Sequence, residues 1–201
     1  MRVKSESRQQ RIVAMATEVF LERGYEATSM SEIATRVGGS KATLYNYFAS
    51  KEELFLVVMK GWAQERMMQA FGSLVPGGDL AVTLQTFGEH FLKNVLTPDL
   101  LVVRGIVMGE GPRSGMGKMF LENGPALGWE QLAGFLEGEM EAGRLRPGKP
   151  LRAALHLINL LEADFLELFI TGVADLPGDE QIVESVTEAV RVFLHGYSKT
   201  R

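Results

Sequence analysis

Apolar residues along this chain recur three and four positions apart, and nowhere do they alternate for the length of a strand. The pattern predicts an all-α protein. Ile12, Ala16, Val19 and Phe20 make one face of a first helix over residues 5–23, with Gly24 placed to stop it. Ser29 and Glu32 have the S-x-x-E spacing of a capping box and open a second helix that turns Met30, Ile33 and Val37 inward. Gly38 and Gly39 turn the chain. Ser40 then caps a third helix over residues 41–48, anchored by Leu44 and Phe48. Ser50 and Glu53 repeat the capping box and launch a long fourth helix to about Phe71, ~30 Å for its ~21 residues.

Val75-Pro-Gly-Gly78 is the clearest break, and only helical patterns follow it. They cover residues 79–96, a segment opening at Pro98, a short stretch over 119–122, residues 125–143, residues 150–171 and residues 180–197. Residues 112–117 read as an interruption. The run Gly105, Gly109, Gly111, Gly115 and Gly117 reads as a flexible connector, since it follows a helix and lacks the spacing of a phosphate loop. The last helix carries Val183, Val186, Val190, Phe193 and Tyr197 at three-four spacing. The one before it is apolar over more than half its circumference, through Leu155, Ile158, Leu161, Phe165 and Phe169. Two such helices from each of two copies would close a four-helix bundle around a two-fold axis. Its seam would hold Leu161, Phe165, Val186, Val190, Phe193 and Tyr197. The alternative is that the stripe packs inside its own subunit.

The third helix breaks the apolar rule. Lys41, Thr43, Tyr45, Asn46 and Tyr47 crowd around two apolar anchors, and aromatics at 45, 47 and 48 cannot all share one buried face. Lys can bond guanine edges, Asn can pair with adenine, and the Thr methyl can meet thymine. Tyr hydroxyls, and those of Thr28 and Ser29, suit phosphates, and Lys51 is a point charge for the DNA backbone. A short helix, a glycine turn and a second helix with a polar outer face form the layout of a helix-turn-helix.

The net charge is −4, which would disfavour DNA if it were evenly spread. Residues 1–60, however, hold nine Lys/Arg against seven Asp/Glu, leaving twelve against eighteen beyond them. The chain has no Cys, which excludes a disulfide-stapled domain and a Cys-based zinc finger. The N-terminus is basic and polar with no apolar signal segment, and no window approaches the ~18 apolar residues of a membrane span. The expectation is a soluble cytoplasmic protein without a membrane partner. His90, His156 and His195 have no metal-ligand spacing, and His156, Asn159 and Glu167 read as a solvated face. No catalytic constellation is present, so neither an enzyme nor a metal or other cofactor is expected.

The string TSMSEIATRVGGSKATLYNYFASKEELF, residues 28–55, closely resembles the TetR family of bacterial transcriptional regulators, as does RIVAMATEVFLERGYEATS before it. The resemblance is strong over residues 8–58. It implies an Ω-like homodimer, with a helix-turn-helix DNA-binding domain over 1–50 and a helical ligand-binding and dimerisation domain over 51–201. The positions it marks for DNA are Thr28, Ser29, Lys41, Thr43, Tyr45, Asn46, Tyr47 and Lys51. It implies a repressor released from a double-stranded, palindromic operator by a small-molecule effector. The alternative is a DNA-binding architectural or division-control protein without a ligand. One departure stands out: Gly39 occupies a position where the family usually has an apolar residue, which should loosen the packing of the second and third helices.

Met and aromatic residues beyond the fourth helix suggest a pocket for an apolar or amphipathic ligand. Its candidate lining is Trp62, Phe87, Phe91, Arg104, Met108, Phe120, Trp129, Glu162 and Phe165, with Phe71 and Met119 beside them. Arg104, in the apolar run LLVVRGIVM, serves either as a salt bridge or as the counter-ion of an acidic ligand. With Glu110 it resembles an Arg-Glu pair, six apart, common in the family. Glu162 can pair with Arg104, with a cationic ligand or across the dimer.

Overall fold

The computed structural model describes residues 2–114, 116–172 and 175–199; the side chains at 2–6, 62–66, 110, 112–114 and 116 lie outside the description. Eleven helices are seen among the described residues: α1 (Arg2–Ala27), α2 (Met30–Val37), α3 (Lys41–Tyr45), α4 (Lys51–Gly72), α5 (Leu80–Val95), α6 (Pro98–Ser114), α7 (Met116–Asn123), α8 (Pro125–Glu141), α9 (Pro150–Glu162), α10 (Leu166–Ile170) and α11 (Asp179–Tyr197). No strand is described, and the one isolated bridge pairs Leu145 with Ser198. Two compact units result, and they do not follow a single cut at residue 50. The first holds the chain up to Ala63 together with Val102–Gly124; the second holds Gln64–Leu101 and the chain from Pro125 on.

In the first unit Ile12, Ala16, Val19, Phe20, Ile33, Leu44, Phe48, Leu54 and Phe55 form the buried core. Gly24 leaves helical geometry at φ 76° and kinks α1 where the spacing places a stop. Gly38 closes α2 in the left-handed region, φ 74°, and the N–H of Gly39 donates to Ala34 O at 2.9 Å. That is a helix end only glycine adopts without strain. α6 corrects the expected interruption: it continues to Ser114, so Gly105, Gly109 and Gly111 lie inside a helix and not in a flexible connector. A Cβ on Gly111 would stand 3.0 Å from the Gly117 Cα, so this glycine permits a close approach of two backbones.

The second unit packs α5 on α11, α8 on α9, and α9 on α11. Gly88 lets α5 and α11 touch, since a Cβ there would lie 2.6 Å from Val186 Cγ1 and 2.8 Å from Leu161 Cδ2. The helix expected over 150–171 is broken. Ala163 and Phe165 donate N–H groups three residues back, to Leu160 O and Glu162 O, and α9 ends. Asp164 is held by the Ser185 hydroxyl at 2.7 Å, and Phe165 turns inward to stack on Phe169.

The residues of the expected dimer seam all lie in the core of their own unit. Leu161 and Val186 are fully buried, and Val190, Phe193, Phe165 and Tyr197 are buried with them in the core of their own unit. A helix facing two neighbours within one chain spends its apolar stripe there, and three-four spacing cannot tell that from a face awaiting a second copy. Among the described residues no helix is long and apolar enough to cross a membrane, and no group of three His, Asp or Glu could hold a metal ion.

Candidate nucleic-acid interface

α3 stands on two buried anchors, Leu44 and Phe48. Ser40 accepts the Thr43 N–H at 3.1 Å and starts the helix. The helix has one regular turn and a half, then tightens: Tyr47 and Phe48 both donate to Leu44 O. This is shorter than the 41–48 span that the pattern predicts, yet the facing is as expected. Lys41, Tyr45 and Asn46 are exposed, Thr43 and Tyr47 half-buried, and Tyr45 leaves 44% of its surface open. A solvent-facing aromatic flanked by Lys and Asn is unexplained by packing and suits base edges. The Lys41 ammonium lies 5.9 Å from the Tyr45 ring centre, and the hydroxyls of Ser40 and Thr43 bond each other at 2.9 Å.

α2 braces α3. Ser29 is exposed and accepts the Glu32 N–H at 3.2 Å, which leaves its own O–H to donate outward. Glu32 does not reach back to complete a capping box; it pairs with Arg23 at 2.9 Å and Arg36 at 3.5 Å. Arg36 also meets Glu22 at 2.7 Å, which pushes the guanidinium above its ordinary pKa. These pairs tie α2 to α1 and neutralise the cations there.

Two residues expected at phosphates have other partners. Thr28 is buried, and its hydroxyl donates to Gly24 O at 2.7 Å, closing the kinked end of α1. Lys51 points its ammonium inward. It donates to Tyr25 O at 2.8 Å and Thr28 O at 3.1 Å and lies 4.1 Å from the Tyr25 ring centre. That ring packs on Phe20 and Phe55. Beside it the Glu52 carboxylate is held below the ordinary range by a backbone N–H, then by the Ser50 hydroxyl and, more weakly, the Tyr25 hydroxyl and Lys51. Ser50 and Glu53 cap α4, the Glu53 carboxylate reaching the Ala49 N–H at 2.6 Å. The start of α4 is thus locked to the α1–α2 corner. Spacing could not show that Lys51 reaches back twenty-six residues to meet Tyr25.

The residues expected to line a ligand pocket fall in both units. Arg104, Met108 and Phe120 belong to the first, where Met108 is 58% exposed. Phe87, Phe91, Trp129, Glu162 and Phe165 belong to the second. There Phe71, Phe87 and Phe91 form a chain of rings 5.5 and 5.7 Å apart, and Phe87 is wholly buried. The Trp62 and Glu110 side chains lie outside the described residues. An apolar recess of the first unit, lined by Phe20, Leu21, Phe55, Val58, Met59, Val103 and Ile106 among others, contains none of the expected residues. His156, read as part of a solvated face, is exposed but bonds the Tyr197 hydroxyl at 2.7 Å.

Comparison with known proteins agrees with this geometry. Residues 12–58 match the model of the bacterial regulatory proteins of the tetR family, and residues 82–199 that of the AefR-like transcriptional repressor C-terminal domain. The transcriptional activator FasR of Mycolicibacterium smegmatis is 46% identical over 59 residues, 29% of this chain and 27% of FasR. The match therefore spans about a quarter of that relative's length. Among solved structures, a TetR-family regulator from Mesorhizobium loti superposes with a TM-score of 0.87 at 25% identity, covering 97% of this chain and 98% of that one. The flavonoid-responsive regulator FrrA superposes at 0.79 with 28% identity, covering 98% and 100%. With both parts of the chain matched and a solvent-facing recognition helix in place, the protein belongs to the TetR family of DNA-binding transcriptional regulators.

Proposed function

We propose that this protein is a cytoplasmic repressor that holds a palindromic operator as a homodimer and releases it when a small apolar or amphipathic molecule binds its C-terminal part. The observation that carries the reading is the exposed Lys41, Tyr45 and Asn46 face of α3 over buried Leu44 and Phe48. Two copies of α3, presented by a two-fold dimer, enter successive major grooves, with Thr43 and Tyr47 at the edges and Ser29 on a phosphate. The likeness of residues 82–199 to a repressor's C-terminal domain supports repression, and the flavonoid response of FrrA supports a small-molecule effector. α4 runs from one unit into the other. A ligand that fits only when α4 is displaced favours the DNA-free state through its differential affinity. Because the inward stripe of α9 and α11 is spent, the dimer uses their outward side, where Leu151 and Val192 stay exposed.

The test is a duplex selected by the protein from a random library. Tyr45→Ala should cost roughly 1–3 kcal/mol of specific affinity and leave the helical content unchanged. Unaltered affinity in the folded variant would remove α3 from the interface.

A further inference from the structure

Gly39 has an unexpected neighbour. Its φ lies outside the positive range, unlike that of Gly38, so the backbone does not demand glycine at 39. What stands over it is Arg8. A Cβ on Gly39 would lie 3.4 Å from the Arg8 Nη2, and the next atom, Ala34 O, is 4.0 Å away. A methyl there would be in van der Waals contact with the guanidinium, and a larger side chain would compete with it for this space. Arg8 reaches this place because it lies one helical turn before Ile12, whose buried side chain fixes that face of α1.

Among the described residues no group neutralises Arg8. Further along α1 and α2, Arg23 and Arg36 are neutralised by Glu22 and Glu32. Lys51 is bonded to two carbonyls. Arg8 is exposed and has no ion pair or hydrogen bond among the described residues, although its head is set against the turn two residues before Lys41. A guanidinium placed beside the turn into a recognition helix, its planar fork unbonded among the described residues, matches a phosphate oxygen pair. We propose that Arg8 is a DNA-phosphate contact of this regulator, seated on the α2–α3 turn by the missing side chain of Gly39. The proposal rests on α3 being the DNA-reading helix.

Binding is measured by fluorescence anisotropy across a salt series. The probes are a selected duplex of roughly 30 base pairs, long enough for two half-sites, and a scrambled duplex of the same length. Arg8→Ala should weaken both duplexes by about three- to tenfold and flatten the salt slope by about 0.9 for each subunit bound, with an unchanged urea midpoint. Arg8→Lys should restore the slope but only part of the affinity. Gly39→Val should lose as much as Arg8→Ala, whereas Gly39→Val in an Arg8→Ala background should lose nothing more. The proposal is overturned if Arg8→Ala keeps wild-type affinity and slope, or if the two losses add. Tyr45→Ala separates the failures: a loss there beside a neutral Arg8→Ala keeps α3 on the DNA and removes only Arg8.

Discussion

Lys51 offers the sharpest test of the site, because sequence pattern and structure give it different work. As a phosphate contact it would govern DNA affinity and leave the fold alone. In the structure its ammonium bonds Tyr25 O and Thr28 O at 2.8 and 3.1 Å and sits 4.1 Å from the Tyr25 ring centre. Lys51→Met keeps the stem and removes the charge. A hydrogen bond to a charged group contributes about 1.5–3 kcal/mol, and a cation over an aromatic face about 0.5–1 kcal/mol at an open site. Lys51 is half-buried and solvent can replace part of its bonding, so the sum is discounted. Lys51→Met should then destabilise the fold by about 2–3 kcal/mol. Urea denaturation followed by helical circular dichroism reads the loss, and amide exchange should place it at α2 and the start of α4. Operator affinity should fall only as far as the native fraction does, with the salt slope intact. A variant that melts like the wild type while its slope drops by about 0.9 per subunit would refute the inward role and return Lys51 to the phosphate.

Two further outcomes follow from the second unit. Gly88→Ala puts a methyl 2.6 Å from Val186 Cγ1; overpacking of about 1–3 kcal/mol should outweigh the ~1 kcal/mol gained in helix propensity, and Val186→Ala should cost less in that background than alone. Additive losses in urea melts would mean that α5 and α11 are not in contact there. Phe193→Asp places a charge at a side chain only 1% exposed and stacked on Tyr197 at 4.6 Å. It should strip helicity from the second unit, so folded monomers in sedimentation would restore the seam read from the apolar stripe.

Elements of local origin were legible in the order of residues. Gly24, Gly38, Ser29, Ser40 and Ser50 mark helix ends because capping and positive φ depend on a few neighbouring residues. The outward face of α3 was legible too, since Leu44 and Phe48 must face a core and Tyr45 and Asn46 between them then point away from it. Tertiary structure alone decided which apolar stripe meets which. The 3.6-residue period shows that Val186, Val190 and Phe193 share a face, but a core of the same chain and a partner's surface exclude water equally well. The same holds for long side chains. Lys51 and Arg8 look alike in the sequence, two cations beside a DNA-reading helix. A flexible stem lets each head settle where the fold leaves room or partners, and that depends on residues far along the chain: Tyr25 and Thr28 bond Lys51, whereas the Arg8 head lies beside the side-chain-free position of Gly39.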